Sequence, residues 1–327
     1  MTKAVLISCG GDPLLVSFVL KLWKKWWYTE VDKVYVCFNT EMDKEPLNEL
    51  FANFVKEPKI SFIYHPYTIG YGEPIREMLQ VCREDLVLLL EDDGFIFRPG
   101  IVEGIFKGIE NGEYDAAGSP RRSCGQEIWD ISKEKYGLIY EGLGDKGPNF
   151  WPNFFFCKKK DLMETDLNFG PTGWAPGQYC KELDYTFKEV NAGDTFVWTS
   201  MQLRAKGLRF KEIPQYHASP FELQDRDNHQ GNWIERPPTY LHGGSLSSGW
   251  SWNGFLLGRQ PIPDTINGLH EIETRVAFWT LVSDLVEGFE AFKVKYREGI
   301  VALMIKAHLD QGLIRTKYNV YKELMGL

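Results

Sequence analysis

Residues 86–100 read LVLLLEDDGFIFRPG, an uninterrupted apolar run that leads directly into three acids and a glycine. A short apolar run bounded by turn residues is typical of a buried strand, and Gly94 favours a turn after it. Because that strand must be buried, the acids Glu91, Asp92 and Asp93 are hard to explain as a solvated face. The segment therefore predicts a strand that places three carboxylates at one edge of a sheet.

The chain before this segment alternates between apolar runs and helical patterns. The predicted strands and helices lie at 3–8, 14–27, 33–38, 45–55, 60–64 and 73–82, ahead of the strand at 86–90. Continuously apolar strands separated by helices indicate a parallel sheet covered on both faces. Such sheets bind ligands beyond the carboxyl ends of their strands, so functional residues are expected just after the strands.

The chain after this segment is less regular. A helix begins after Pro99-Gly100 and runs through Ile109, and residues 112–260 are rich in Gly, Pro and aromatic residues, a composition typical of functional loops. The regular elements predicted inside that region are a strand at 154–157, a helix at 196–206 and a strand at 209–213. Residues 266–327 have a helical pattern throughout.

These patterns predict an α/β domain with a helical appendage. The expected bounds are 1–258 for the α/β domain, with a division at about residue 110, and 259–327 for the helical region.

Composition narrows the class of protein. The 37 Lys and Arg against 45 Asp and Glu give a net charge of −8, which argues against unspecific electrostatic binding to nucleic acid or anionic membrane. The six cysteines contain no CxxC pair and are expected to be reduced thiols of a cytoplasmic protein. No apolar run reaches about 18 residues and no secretion signal opens the chain, so we expect no transmembrane segment and no export.

The acidic triplet predicts a divalent cation. Mg²⁺ and Mn²⁺ take oxygen ligands and usually keep water and substrate phosphates in their remaining positions. Asp93 is the first choice as direct ligand. The alternative is a turn whose acids cap the following helix.

The triplet and the motifs around it resemble the GT-A-fold glycosyltransferases, family 2-like enzymes that use nucleotide-sugar donors and carry a DxD-type motif after the fourth strand. Here the motif is an EDD variant, Glu91-Asp92-Asp93. Three similar elements follow in the same order: PNFFFCKKKDLMETDLNF at 152–169, an acidic loop and helix from Gly193-Asp194 to Gly207, and YLHGGS at 240–245. The resemblance implies a Rossmann-like, mostly parallel sheet flanked by helices. It also implies that residues 1–258 are a catalytic domain, with a donor half at about 1–110 and an acceptor half at about 111–258.

The resemblance also implies roles for the acidic and histidine residues. Asp93 would bind the metal, with Glu91 and Asp92 near the ribose or metal-bound water. His242 is the favoured further metal or phosphate contact and His217 the second candidate, since imidazole can ligate Mn²⁺. His65 and His229 are interpreted as polar loop residues.

An inverting transferase needs a carboxylate base opposite the leaving group. Asp194 corresponds to it by resemblance. Asp184 and Glu182 are alternatives, and Asp194 is about equally explained as an N-cap of the next helix.

The remaining predicted contacts divide between donor and acceptor. The donor contacts are Cys9, Gly10, Asn39 and Arg76, although Arg76 is equally explained as an exposed helical charge. The acceptor contacts are Trp151, Trp174 and Trp250, whose indoles can stack on sugar rings or bases, although most such residues belong to cores.

These predictions combine into a cytoplasmic, metal-dependent glycosyltransferase with a nucleoside diphosphate sugar donor, UDP-linked for preference. The acceptor would be a hydroxyl group, by default on a glycan, with inversion preferred over retention. One alternative is a viral or phage enzyme, active in the host cytoplasm, that modifies a hydroxymethylated base in DNA, although the negative charge counts against DNA. Another is a non-catalytic carbohydrate-binding protein on the same fold. A nucleotidyltransferase is disfavoured because SCGGDP at 8–13 is short and lacks Arg or Lys.

Overall fold

The structure is a computed structural model, and it describes residues 1–10, 13–38, 44–65, 67, 69–70, 72–121, 124–136, 149–213, 216–217, 241–242, 266–285, 290–324 and 327. The strands are β1 (Lys3–Cys9), β2 (Lys33–Phe38), β3 (Ile60–Tyr64), β4 (Leu86–Glu91), β5 (Gly94–Phe95), β6 (Ala116–Arg121), β7 (Asn149–Lys158), β8 (Thr172–Trp174), β9 (Tyr179–Cys180), β10 (Tyr185–Thr186), β11 (Asn191–Gly193), β12 (Phe210–Glu212), β13 (Tyr216–His217) and β14 (Leu241–His242). The α-helices are α1 (Pro13–Leu22), α2 (Lys44–Phe54), α3 (Glu73–Val81), α4 (Ile101–Glu110), α5 (Gln126–Tyr136), α6 (Lys159–Met163), α7 (Val197–Ala205), α8 (Ile266–Leu285), α9 (Glu290–Ala307) and α10 (Gln311–Leu324).

A seven-stranded sheet forms the centre, with strand order β12-β6-β7-β4-β1-β2-β3. Strands β4, β1, β2 and β3 are parallel to one another, and β7 runs antiparallel to both of its neighbours, β4 and β6. The prediction of a mostly parallel sheet flanked by helices, with a helical C-terminal region, is confirmed. All the carboxyl ends of the parallel strands therefore meet at one edge.

Successive side chains along each strand point to opposite sides of the main sheet, and both faces of the sheet are apolar. One face, with Val5 and Ile7 of β1, packs against α1, α2 and α4. The opposite face, with Ala4 and Leu6, packs against α3 and α7. Because successive side chains of a strand point to opposite sides, the continuously apolar runs are buried on both faces.

Two predictions about local structure need correction, and two elements were not predicted. The helix predicted over 14–27 ends its α-helical part at Leu22 and continues as a π-helical turn over Trp23–Trp27. The strand predicted at 154–157 is the ten-residue β7. Strand β6 and helix α5 were not predicted, because Pro120 and the adjoining glycines favour a loop over a strand.

The C-terminal helices pack onto the rest of the protein. Phe278 of α8 contacts Phe95 of β5 at a ring-centroid distance of 4.9 Å and Phe18 of α1 at 6.2 Å. Tyr321 of α10 lies 5.4 Å from Phe278. The apolar cluster of α1 thus continues into α8 and α10. In the part of the chain that the structure describes, no helix is both long enough and apolar enough to cross a bilayer.

Candidate functional site

The acidic triplet lies where β4 ends, beside the end of β1. Ser8 pairs in register with Glu91, and the Asp92 amide donates a hydrogen bond to the Ser8 carbonyl oxygen at 3.1 Å. The polar residues that follow two neighbouring parallel strands are therefore brought to one edge of the sheet, as the sequence predicted.

Asp92 fixes the backbone at this edge. Its carboxylate is 1% exposed, and Oδ2 accepts a hydrogen bond of 2.9 Å from the Gly10 amide. A hydrogen bond to an ionised acceptor is stronger than one between neutral groups. Asp92 therefore holds the turn after β1, which links two predicted donor contacts, Gly10 and Asp92, directly to each other.

Glu91 is linked to a tryptophan of the predicted acceptor half. The Trp151 indole Nε1 donates a hydrogen bond of 3.1 Å to Glu91 Oε1. Trp151 belongs to β7, the antiparallel neighbour of β4, and its side chain is half-buried. Residues 60 positions apart in sequence thus share one polar contact at the sheet edge.

Asp93 is 2% exposed and directly precedes a second, smaller sheet. This sheet has the order β13-β14-β5. His242 of β14 pairs with Gly94 of β5, and His217 of β13 pairs with His242. Paired residues have Cα atoms about 4.5–5.5 Å apart. The backbone of His242 therefore lies one strand away from Gly94, the residue after Asp93, and the backbone of His217 lies two strands away. Their side chains lie outside the described residues.

The segment after the triplet is anchored by three other elements. The Trp27 indole donates a 3.2 Å hydrogen bond to the Ile96 carbonyl oxygen. The buried Glu30 carboxylate accepts hydrogen bonds from the Gly100 and Glu103 amides, at 2.5 and 2.9 Å. Together with the contact between Phe95 and Phe278, these bonds attach residues 95–103 to the neighbouring helical segments. No sequence pattern around Trp27 or Glu30 predicted these hydrogen bonds.

Two of the predicted donor contacts have other surroundings. Cys9 is fully buried within the apolar cluster of β1 and α1, so only its backbone faces the edge. Arg76 forms an ion pair with Glu73 one helical turn earlier, and its side chain is 43% exposed. Arg76 thus matches the alternative interpretation of an exposed helical charge.

The predicted base, Asp194, lies between β11 and α7, and one predicted acceptor residue, Trp174, lies on β8. Asp194 is exposed, and its carboxylate accepts a 2.7 Å hydrogen bond from the Thr195 amide. Its carbonyl oxygen, and not its side chain, receives the Val197 amide at the start of α7. Trp174 is buried against Phe187 and Trp198, so its ring faces are covered by neighbours. The alternative base Asp184 is exposed and accepts a hydrogen bond from the Tyr179 hydroxyl.

Several predictions fall outside the described residues: Asn39, His229 and Trp250.

A charged pair that sequence reasoning did not single out lies near the other end of the main sheet. The Arg204 guanidinium lies over the rings of Phe150 and Phe210, at 5.4 and 4.9 Å. Burial lowers the pKa of Arg204 to about 10. Burial also raises the pKa of Glu212 to about 7, an effect that the positive charge of Arg204 partly offsets.

No protein-family profile matches the chain, and no curated protein matches it. One solved structure with a similar chain path is glucosyl-3-phosphoglycerate synthase from Mycobacterium tuberculosis, in complex with Mn²⁺, uridine diphosphate and phosphoglyceric acid. It is 14% identical, with a TM-score of 0.36 and coverage of 52% of this chain and 58% of that chain. Another is TarS of S. aureus, 11% identical, with a TM-score of 0.43 and coverage of 94% of this chain and 43% of that chain. The chain thus spans well under two thirds of the length of these proteins. Similarity at this level assigns neither a family nor an activity to the chain.

Proposed function

We propose that this protein is a metal-dependent glycosyltransferase that moves a sugar from a nucleoside diphosphate to a hydroxyl group. The observation that supports this most is the meeting of three distant segments at the carboxyl edge of the sheet. Gly94, directly after the acidic triplet, pairs with His242, which in turn pairs with His217. By the family resemblance, His242 is the favoured metal or phosphate contact and His217 the second candidate.

The residues present suit a divalent cation. A carboxylate oxygen from Asp93 with an imidazole nitrogen from His242 or His217 is a donor set that Mn²⁺ accepts readily, whereas Mg²⁺ prefers oxygen alone. Once bound, the ion would neutralise the charge that develops on the leaving diphosphate.

The other residues of the edge orient the donor and shape its site. Asp92 holds the Gly10 turn, whose backbone can approach a phosphate closely because glycine has no side chain. Trp151, tied to Glu91, offers a fixed aromatic surface between the two predicted halves. Asp194 is our proposal for the base, in a reaction that inverts the anomeric carbon. It is exposed and therefore accessible to an acceptor.

Within this proposal, the donor is UDP-linked and the acceptor is a glycan hydroxyl. A hydroxymethylated base in DNA is the alternative acceptor. The net charge of −8 disfavours a long nucleic-acid interface, so a glycan has priority in an acceptor screen.

The first test is a thermal-shift panel of nucleotide sugars, each with and without Mn²⁺. A ligand at about 100 times its Kd stabilises a protein by about 2.7 kcal/mol, so one nucleotide family should raise the melting temperature only when metal is present. If free glycans raise the melting temperature and no nucleotide sugar does, the glycosyltransferase proposal is wrong. The protein would then be a carbohydrate-binding protein.

The second test replaces Asp93, with Glu134→Gln as a control that removes one exposed negative charge. Asp93→Asn keeps the shape of the side chain and removes its charge, so we expect the metal-dependent part of the donor shift to disappear and transfer to fall by about 10²-fold or more. Circular dichroism checks that the variant is folded. A folded Asp93→Asn protein with the wild-type metal-dependent shift would show that Asp93 is not the ligand.

A further inference from the structure

A second group of metal-ligand side chains lies beneath α3, away from the acidic triplet. It consists of Cys37 on β2, His65 directly after β3 and Glu77 on α3. The thiol sulfur, an imidazole nitrogen and a carboxylate oxygen all lie within 4.8 Å of one another, and His65 Nε2 is 2.5 Å from Glu77 Oε2. Within the described ranges, this is the one place where three such donors converge.

The fold brings these residues together through register. Cys37 pairs with Ile63 of β3, so the side chain two residues further along β3, that of His65, is on the same face of the sheet. That face is covered by α3, whose Ile75, Met78 and Leu79 are buried against it. Helix α3 therefore places Glu77 above the carboxyl ends of β2 and β3.

The site is separate from the acidic triplet. Ser8 pairs with Glu91 on one side and with Cys37 on the other, so Cys37 is two strands from β4. At about 4.8 Å between neighbouring strands, the separation is about 10 Å. An ion held by Cys37 thus shares no ligand with the triplet.

The donor distances fit a tetrahedral ion after small movements. Zinc bonds of about 2.3 Å to sulfur and 2.0–2.2 Å to nitrogen or oxygen place the donors about 3.4–3.6 Å apart. His65 and Glu77 would separate by about 1 Å from their present 2.5 Å. The Cys37 sulfur lies within 4.8 Å of both other donors, so it would approach by at most about 1.2 Å. Side-chain rotation alone can supply shifts of this size.

The chemistry of the donors selects the ion. One thiolate, one imidazole and one carboxylate suit Zn²⁺, whereas Mg²⁺ and Mn²⁺ favour sites made of oxygen ligands. The ligand form of cysteine is the thiolate, so binding of the cation displaces the Cys37 thiol proton to solvent.

The three side chains differ in exposure, and the difference shows where a metal ion could enter the site. Cys37 is fully buried, while the side chains of His65 and Glu77 are 17% and 30% exposed. Solvent therefore reaches the group past His65 and Glu77, and not past Cys37. A site with three protein ligands and one open side leaves a coordination position for water or for a ligand.

We propose that Cys37, His65 and Glu77 bind Zn²⁺ or a transition-metal ion of similar chemistry, with the fourth coordination position open to solvent. The competing explanation is an ion pair between His65 and Glu77 next to a buried thiol that has no part in it. The two explanations differ in whether an added metal ion bonds to the Cys37 sulfur. Only the metal-site explanation predicts that bond.

The test is a titration of the metal-free full-length protein with Co²⁺, followed by displacement with Zn²⁺. Tetrahedral Co²⁺ bound to a thiolate gives visible absorption together with a sulfur-to-metal charge-transfer band in the near ultraviolet. We expect one Co²⁺ per chain with both features, and loss of both when Zn²⁺ is added. Absence of the charge-transfer band in folded wild-type protein at excess Co²⁺ would overturn the proposal.

Four variants locate the site. Cys37→Ser should abolish the charge-transfer band, and His65→Gln should weaken Co²⁺ binding by about 100-fold or more. His65 is partly exposed, so its variant remains informative if the buried Cys37→Ser fails to fold. Cys180→Ser, at another buried thiol, and Asp93→Asn should retain the sulfur-to-metal charge-transfer band of the wild type. A band that survives in folded His65→Gln and Cys37→Ser but disappears in Cys180→Ser would also overturn it.

Discussion

Adjacent carboxylates at the end of β4 have different partners because successive side chains leave the backbone in different directions. Glu91 accepts the Trp151 indole, and Asp92 accepts the Gly10 amide. The sequence identified the triplet as a unit, and the motif resemblance gave Glu91 and Asp92 similar roles. The structure makes Asp92 a residue that positions the backbone and leaves Asp93 closest to the small sheet.

Glu212 gives a pH-dependent prediction at the residue scale. Burial raises its pKa from 4.5 to about 7, so between these values the folded state binds more protons than the unfolded state. The free energy of unfolding must therefore fall as pH rises through this window. Because the side chain is partly exposed, we expect the contribution to be about 1–2 kcal/mol.

Urea denaturation at a series of pH values from 4.5 to 7.5 measures this effect. Glu212→Gln should show a smaller loss of stability across the window than the wild type does. Glu134→Gln controls for the removal of one negative charge and should keep the wild-type slope. Equal slopes in wild type and Glu212→Gln would contradict the assignment.

At the scale of elements, helix α4 is capped by a residue from another part of the chain. Gly100, at its N-terminus, has a φ of 81°, a left-handed conformation that favours glycine, and it has no side chain to serve as a cap. Glu30 supplies the cap through two hydrogen bonds. A carboxylate there also interacts favourably with the helix dipole.

Replacing Glu30 should therefore destabilise the protein. Glu30→Ala is expected to lower the free energy of unfolding by about 2 kcal/mol, because two amides at the start of α4 lose an ionised acceptor. Glu103→Ala, at an exposed acid of the same helix, should change it by less than about 0.5 kcal/mol. Urea denaturation followed by circular dichroism measures both. Equal effects of the two substitutions would show that Glu30 is not the cap.

Strands β6 and β7 show why some elements escape sequence patterns. Both contain a proline, and proline favours strand edges and bulges over strand interiors. In the sheet, Pro120 follows a register shift between β6 and β7. A side chain at Gly118 would meet the Phe155 ring at 2.7 Å, so this glycine allows the two strands to approach closely. Both features depend on the partner strand.

At the scale of the whole molecule, the apolar cluster on the α1 face of the main sheet continues into the C-terminal helices. Phe278 lies against Phe18 and Phe95, and Phe95 belongs to β5, next to the acidic triplet. The division of the chain into 1–258 and 259–327 stays a prediction about domains. The shared core indicates that the two parts stabilise each other.

We therefore expect a single cooperative unfolding transition. Calorimetry should give a van't Hoff enthalpy close to the calorimetric enthalpy. Phe278→Ala should cost about 3–5 kcal/mol, as large deletions in cores do, and should lower the one transition as a whole. Val301→Ala, at an exposed position of α9, is the control. Two separate transitions in the wild type, of which Phe278→Ala moves only one, would show independent domains.

Local patterns in the sequence were enough to predict the strands and helices that they span. Apolar runs that alternate with helical periodicity predict the parallel strands, and their ends locate the acidic triplet, because each pattern is complete within about ten residues. Tertiary structure alone decided which distant residues meet. The pairing of Gly94 with His242, the bonds from Glu30 to α4 and the meeting of Cys37 with Glu77 each join different elements. Such contacts depend on strand order, register and helix packing, which a local pattern does not encode.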